Sequence, residues 1–213
     1  ESIGLAVAAE IPLLVIDVMR GGPSTGIPTK SEQSDLNIAV YGLHGDAPHV
    51  VTAPNSIADC LFTAQWSTHL AESMQVPVIM LSDQSFGQAL GVVERPAELA
   101  FATRRLVVEA PAENYQRYAV TASGVSPMAI PGTPGGQYTA DGLEHNETGI
   151  PSSGVEDHNR QLEKRLTKVT NFDYGDHWAQ IEGDGPAAII TWGSTTGPVR
   201  QAMRRIDPHG ERL

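Results

Sequence analysis

Arg20 and Lys30 flank a loop in which Gly21, Gly22 and Gly26 are interspersed with the hydroxyls of Ser24, Thr25 and Thr29. An arginine presents paired donors in a planar fork that matches a carboxylate better than lysine does. Glycines let a backbone approach a ligand closely and adopt dihedrals that other residues avoid. These residue types together suit an anionic ligand. The bland alternative is a glycine-rich turn carrying two solvated cations. The GxxxxGK[ST] spacing of a phosphate-binding P-loop is missing, so nothing supports a nucleoside triphosphate.

The element that must position Arg20 is the apolar run just before it. Residues 13–18, LLVIDV, are suited to a buried strand. A strand that ends in donor-rich backbone is where open α/β sheets keep their ligands. A second strand is expected from His49 to Ala53. A helix should come next from Ile57, capped by Asn55 or Ser56, with Ile57, Leu61, Ala64, Thr68 and Ala71 on its apolar stripe. Residues 77–81 then read as the next strand, ending at Ser82 and Asp83. Strand, helix and strand with short connections make a parallel crossover unit, so the fold class is α/β with a parallel sheet.

From Tyr118 to Ser153 proline and glycine are too frequent for regular structure, and PGTPGG at 131–136 marks fixed turns. A connection this long is an interdomain linker or a functional arm crossing another surface. A helix is expected over 155–169, with His158, Leu162, Leu166 and Val169 on its apolar side. Glu156 and Asp157 near its start and Lys164, Arg165 and Lys168 near its end suit the helix dipole. Residues 187–192 read as a buried strand, and 198–206 as a helix with Val199, Met203 and Ile206 inward. This pair would open a second α/β domain. The expected division is 1–118, then a linker arm with its helix over 119–172, then 173–213.

Other chemistry-bearing residues have two readings each. Glu32 to Asp35 (EQSD) could cap a helix, hydrogen-bond locally or touch ligand. Tyr41 and His44 sit between glycines, as structural polar groups or near a cofactor. Ser82 and Asp83 end a strand, facing ligand or capping the next element. Cys60 lies on a helix among apolar residues and reads as a small buried hydrophobe rather than a nucleophile. His145 and His158, with Glu144, Glu147 and Asp157 nearby, fall into neither HExxH nor any tight Cys/His spacing, so no metal site is assigned. GxSxG and GxGxxG are both absent.

Composition narrows the class. The chain has 213 residues, 40% of them apolar, enough for a real core. Its net charge of −11 without any basic block argues against a nucleic-acid partner. No apolar run reaches membrane-spanning length, so no membrane partner is expected. One cysteine excludes an internal disulfide and a four-cysteine iron–sulfur site within this chain, and favours a reducing, cytoplasmic setting. The opening run SIGLAVAAEIP reads as the tail of a helix already under way, and the last strand and helix read as a unit cut short.

The long motif IDVMRGGPSTGIPTKSEQSDL resembles the alpha subunit of the 2-oxoacid:ferredoxin oxidoreductases, particularly the 2-oxoglutarate type. YGLHGDAP at 41–48, APNSIADC at 53–60, VPVIMLSDQ at 76–84 and AIPGTPGGQYTADGLEHNETG at 129–149 agree with it. DHNRQLEKRLTKV and IITWGST fit as well. The resemblance implies a domain like the thiamine-pyrimidine-binding domain of transketolase, then the start of a transketolase C-terminal-like domain. It implies thiamine diphosphate with Mg²⁺ shared with a beta subunit that also carries a [4Fe–4S] cluster, coenzyme A as cosubstrate, and ferredoxin as electron acceptor. It places the substrate-carboxylate arginine on Arg20 and a substrate-contacting threonine on Thr29. Lys30 and the loop residues Gly21, Gly22, Ser24, Thr25 and Gly26 would frame the same pocket.

Two departures accompany the resemblance. The family's YPITPxS-type segment and the glutamate that activates the thiamine ring are expected upstream of Glu1, so no catalytic residue is assigned here. The second domain stops after one strand and helix. The implied reaction is oxidative decarboxylation of a 2-oxoacid, 2-oxoglutarate in the first instance, to its acyl-CoA. The alternatives are a related enzyme using pyruvate, a branched or an aryl 2-oxoacid, and a non-catalytic assembly subunit that keeps the fold.

Overall fold

The computed structural model describes residues 1–94 and 104–206. The expected divisions 1–118 and 173–213 therefore include stretches (95–103 and 207–213) that lie outside the described residues. In chain order the elements are α1 (Ser2–Ala8), β1 (Leu13–Met19), α2 (Leu36–Tyr41), β2 (Val50–Thr52), α3 (Asp59–Met74) and β3 (Pro77–Asp83). Then come α4 (Gln84–Gln88), α5 (Val155–Thr170) and α6 (Thr196–Ile206).

The three strands form one parallel sheet in the order β1-β3-β2. β3 takes the centre because every residue of PVIMLSD is buried, which an apolar run without alternation requires. Its register with β1 runs from Leu13 opposite Pro77 to Met19 opposite Asp83. The expected parallel crossover is therefore present, β2 reaching β3 through α3. β1 is a half-exposed edge rather than the buried strand predicted: among the described strands it is the outermost next to β3, and Ile16 and Val18 on one of its faces stay open. β2 is shorter than the expected run.

Successive residues of β3 feed two cores on opposite faces, as the two-residue strand period demands. Val78 joins Val76, Leu70, Ala71 and Met74 under α3, with Trp66, Phe172 and Tyr174 packed at the side. Ile79 and Leu81 join Met19 and Ala39 on the other face, against Ile3, Val15 and Trp192. Sealing a side chain such as Leu70 or Met74 contributes about 1.5–3 kcal/mol.

The apolar stripe of α3 differs from the one predicted. Thr63, Ser67, Leu70, Ala71 and Met74 face inward, while Leu61 and Thr68 are exposed. The helix begins two residues late, at Asp59. Ser67 reaches inward because its hydroxyl meets that of Thr52 at 2.8 Å, a polar pair that apolar patterning does not reveal. Neither Asn55 nor Ser56 is the N-cap residue, though the Ser56 hydroxyl accepts from the Asp59 N–H at 3.1 Å.

The stretch from Tyr118 to Ser153 has no helix or strand beyond isolated bridges, as its composition implied, and 104–117 before it is likewise irregular. It is nevertheless tightly packed. Tyr118 is fully buried, stacks on His145 at 3.7 Å and donates its hydroxyl to the Thr139 carbonyl. Gln75, in the left-handed region at the end of α3, donates its amide to the Ser126 carbonyl at 2.9 Å.

α5 has nearly the predicted limits but the opposite face inward. Gln161, Lys164, Arg165 and Lys168 are buried, whereas His158 and Leu166 are exposed and Leu162 and Val169 are half-buried. The reason is Glu10, sealed just after α1. Lys164 Nζ lies 2.5 Å from its Oε1, and Lys168 Nζ lies 2.5 Å from its Oε2. Arg117 donates to the Glu10 carbonyl at 2.8 Å. Burial would push the Glu10 carboxyl up, but Lys168, Lys164 and Arg117 outweigh it and hold it at about 2.

No strand forms over 187–192, and Ile190 is 96% exposed. A strand needs a ladder partner, and none of the described strands pairs with this run. α6 does form, two residues earlier than predicted. Val199 and Met203 are half-buried while Ile206 is exposed, contrary to its expected inward role. No helix among the described residues is long and apolar enough to cross a membrane.

Candidate functional site

β1 delivers Arg20 to the carboxyl edge of the sheet. Met19, its last residue, is buried opposite Asp83, so the backbone at Arg20 is fixed by the core while its side chain is half-buried. The chain then folds back on itself. Gly21 N–H donates to the Lys30 carbonyl at 3.0 Å, and Ile27 N–H donates to the Gly21 carbonyl at 2.7 Å. Gly22 N–H donates to Glu32 Oε2 at 3.2 Å. The loop therefore meets much of its own backbone demand internally.

Gly26 makes this closure possible. Its φ is +56°, and a Cβ there would sit 1.5 Å from the Gly21 carbonyl oxygen. Thr29 also adopts a left-handed conformation, with φ +65°, which a β-branched residue rarely does. Such strain costs of the order of 1–3 kcal/mol and gathers at ligand sites.

The closed backbone leaves side chains available. Those of Arg20, Ser24, Thr25, Thr29 and Lys30 have no hydrogen-bond or ion-pair partner among the described residues. Gly21 is buried and Gly22 exposed, with Gly26 between them in burial. The fold thus brings all eight predicted residues into one loop at the end of one strand, with two cations and three hydroxyls free to meet an anion.

The remaining candidates lie in varied settings. Glu32, though exposed, closes the loop by accepting from the Gly22 N–H. Asp35 precedes α2 without a capping hydrogen bond from its side chain. Asp83 caps α4, its Oδ1 accepting from Ser85 N–H at 2.8 Å and Phe86 N–H at 3.3 Å. Burial pushes its carboxyl up, yet hydrogen bonds from Ser194, Ser31 and the α4 backbone outweigh this and hold it below the usual range. Burial and the nearby Asp35 push Asp17 up.

Cys60 is half-buried rather than fully enclosed, with its thiol directed to the Ser56 carbonyl at 3.3 Å. Burial, then Asp59 and Asp83, push that thiol up, away from thiolate reactivity. Tyr41 and His44 stand apart from the loop: Tyr41 is exposed at the end of α2, and His44 is exposed in the bend that follows it. His145 and His158 are apart in role: the first is buried between the carbonyls of Ala8 and Asn146, and the second pairs with Glu144 at 2.7 Å. Among the described residues, no group of three or more His, Cys, Asp or Glu could hold a metal ion.

Sequence reasoning missed two long-range bonds of the turn at 192–195: Gln33 at the loop's exit donates to the Trp192 carbonyl across 159 positions, and Ser194 donates to Asp83 at the end of β3 across 111. Nothing local in the sequence signals contacts of that span. A cavity of about 960 Å³ lies elsewhere, between β2 and residues 174–203, lined by Trp66, Tyr174, His177, Trp192 and Arg200 among others. Neither Arg20 nor Thr29 borders it, so volume and candidate chemistry do not coincide here.

Comparison with known proteins places the chain in a family. A family model described as "Pyruvate flavodoxin/ferredoxin oxidoreductase, thiamine diP-bdg" matches residues 1–164. The 2-oxoglutarate oxidoreductase subunit KorA of Mycobacterium tuberculosis is 39% identical over 100% of this chain and 33% of its own length. The 2-oxoacid:ferredoxin oxidoreductase subunit alpha of Saccharolobus solfataricus is 31% identical over 99% of this chain and 34% of its own. Among solved structures, the 2-oxoglutarate:ferredoxin oxidoreductase from Magnetococcus marinus, with 2-oxoglutarate, coenzyme A and succinyl-CoA bound, superposes with a TM-score of 0.87. It is 41% identical, over 100% of this chain and 38% of that one. The chain thus spans about a third of the length of these relatives. With the match extending through the strand, the Arg20 loop and the crossover that holds it, the chain belongs to the thiamine-diphosphate-binding family of pyruvate flavodoxin/ferredoxin oxidoreductases.

Proposed function

We propose that this chain is the part of an alpha subunit that receives the substrate of a 2-oxoacid:ferredoxin oxidoreductase. The observation that carries the reading is Arg20: a half-buried guanidinium at the carboxyl end of a parallel strand, with no partner among the described residues. Its fork would take the substrate carboxylate, and Thr29 would donate to the adjacent keto oxygen. The strained backbone at Thr29 would hold that hydroxyl in place before substrate arrives.

2-Oxoglutarate is the favoured substrate. Two unpartnered cations, Arg20 and Lys30, flank the loop, which suits a dicarboxylate better than pyruvate with its single charge. The names of the relatives from Mycobacterium tuberculosis and Magnetococcus marinus support the same choice. Coenzyme A would accept the acyl group, and a beta subunit with a [4Fe–4S] cluster would pass the electrons to ferredoxin.

The residues present fit only one end of thiamine diphosphate chemistry. When bound, the cofactor supplies a carbon nucleophile and then an electron sink, which side chains lack. The Arg20 loop fits the anionic substrate that would react there. The Mg²⁺-diphosphate end is assigned to the beta subunit by the family resemblance, and no group of three or more His, Cys, Asp or Glu among the described residues offers a metal site. This chain's share is to bind and orient the 2-oxoacid and to keep water from it.

The test is turnover by the full-length alpha subunit co-expressed with its beta subunit. The expected result is coenzyme-A-dependent reduction of a low-potential acceptor with 2-oxoglutarate, faster than with pyruvate. Preference for pyruvate would reassign the substrate. No reduction by any 2-oxoacid, with cluster loaded and thiamine diphosphate bound, would contradict the reading.

A further inference from the structure

The loop's exit is fastened at a point its substrate role does not explain. Gln33 donates from Nε2 to the Trp192 carbonyl at 3.0 Å, and Thr195 Oγ1 returns to Gln33 Oε1 at 3.4 Å. Asp83 is 1% exposed at the end of β3. Its Oδ1 serves the α4 cap, which needs only one oxygen. Its Oδ2 accepts a hydrogen bond from the Ser194 hydroxyl instead. Ser31, two residues before Gln33, accepts from the Ser85 N–H at 3.3 Å.

Gly193 shows how closely the turn is seated. Its φ is +66°, and a Cβ there would collide with the Gln33 amide and stand 3.9 Å from Asp83 Oδ2. The family match ends at residue 164, so these contacts bind the matched region to chain beyond it. One register position of the sheet thereby fixes both ends of the loop. Met19, opposite Asp83, sets the entry at Arg20, and the Asp83 side chain anchors the turn that holds the exit at Gln33.

We propose that Gln33, bonded to Trp192 and Thr195, and Ser194, bonded to Asp83, form a clasp that positions the Arg20–Thr29 loop for its 2-oxoacid, so that seating of the 192–195 turn sets substrate affinity. The proposal rests on the reading of this loop as the 2-oxoacid site. Gln33 and Ser194 are positioning residues, acting through the loop backbone.

The test uses Gln33→Ala, Ser194→Ala and their combination in the full-length alpha subunit assembled with its beta subunit. None of these removes the Oδ1 cap of α4. The double variant should raise KM for 2-oxoglutarate about tenfold, the effect of losing one or two ordinary hydrogen bonds, with kcat within about twofold. Ser194→Thr, which keeps the hydroxyl, should restore a KM close to the parent's. Hydrogen exchange at the amides of residues 21–30 should accelerate in the double variant without substrate. Unchanged KM together with unchanged exchange would overturn the clasp, as would a lower melting temperature with KM unmoved. If the unaltered enzyme turns over no 2-oxoacid, the reading of the site fails, while the exchange measurement still decides whether the clasp orders the loop.

Discussion

Lys168 Nζ lies 2.5 Å from Glu10 Oε2, although 158 positions separate them and both side chains are sealed from solvent. With Lys164 and Arg117 they form a buried ionic group that ties α5 and the Gly/Pro-rich arm to the turn after α1. The carboxylate is the centre on which three cations depend. Removing it should therefore cost far more than any single surface pair. Glu10→Gln is expected to destabilise the subunit by about 3–5 kcal/mol, read from chemical denaturation. A loss under about 1 kcal/mol, the scale of an exposed pair, would show that the cations find other partners.

The same group sets two pH windows. Glu10 is held at about 2 against an ordinary 4.5, so the unfolded chain takes up its proton first on acidification. Its contribution, about 3 kcal/mol, is complete above pH 4.5 and is lost as pH falls from there toward 2. Burial pushes Lys168 the other way relative to its charge, down to about 7 from 10.5. Between those values the unfolded chain binds the extra proton, so stability should climb as pH rises from about 7 toward 10.5. Lys168→Met should reduce that climb, to which the buried Lys164 also contributes. It should shrink the acid limb too, because Lys168 is the largest of the charges that lower Glu10. Denaturation midpoints across pH would show both.

Much of this architecture was legible and some of it was not. The presence of β1, β3 and the crossover helix was legible in their apolar runs, though the inward face of that helix was not, and Arg20 was legible as the residue directly after a strand. The inward face of α5 was not readable, because lysines turn toward a core only when a buried carboxylate waits there. Glu10 gives no local sign of that. The expected strand at 187–192 fails for the converse reason: its residues suit a strand, but no described strand pairs with it. Within the site, residue types pointed to an anion, while the closure by Glu32 and the left-handed Thr29 depend on backbone geometry that composition does not encode.

Gly26 should tolerate no side chain. Gly26→Ala places a methyl on the Gly21 carbonyl and demands a left-handed alanine, so the loop must open. The expected outcome is a KM for 2-oxoglutarate raised at least about tenfold, with the melting temperature of the sheet core little changed because the loop lies outside both apolar clusters. A normal KM would mean that the closed loop is not the binding form.

Thr29 sets stability against function. Thr29→Gly relieves a strained backbone, and the gain should be of the order of 1 kcal/mol, visible as a raised melting temperature. The same change removes the hydroxyl proposed to meet the keto oxygen, so kcat/KM should fall about tenfold or more. A more stable variant with full activity would free Thr29 of its substrate role.

The most direct test of the account is Arg20→Ala in the full-length alpha subunit assembled with its beta subunit, with thiamine diphosphate occupancy measured alongside kcat/KM for 2-oxoglutarate. Loss of a charge-assisted, bidentate contact should remove about 2–4 kcal/mol, a fall of roughly 30- to 1,000-fold, with cofactor still bound. An unchanged kcat/KM would show that the carboxylate is held elsewhere and that the loop is not the substrate site.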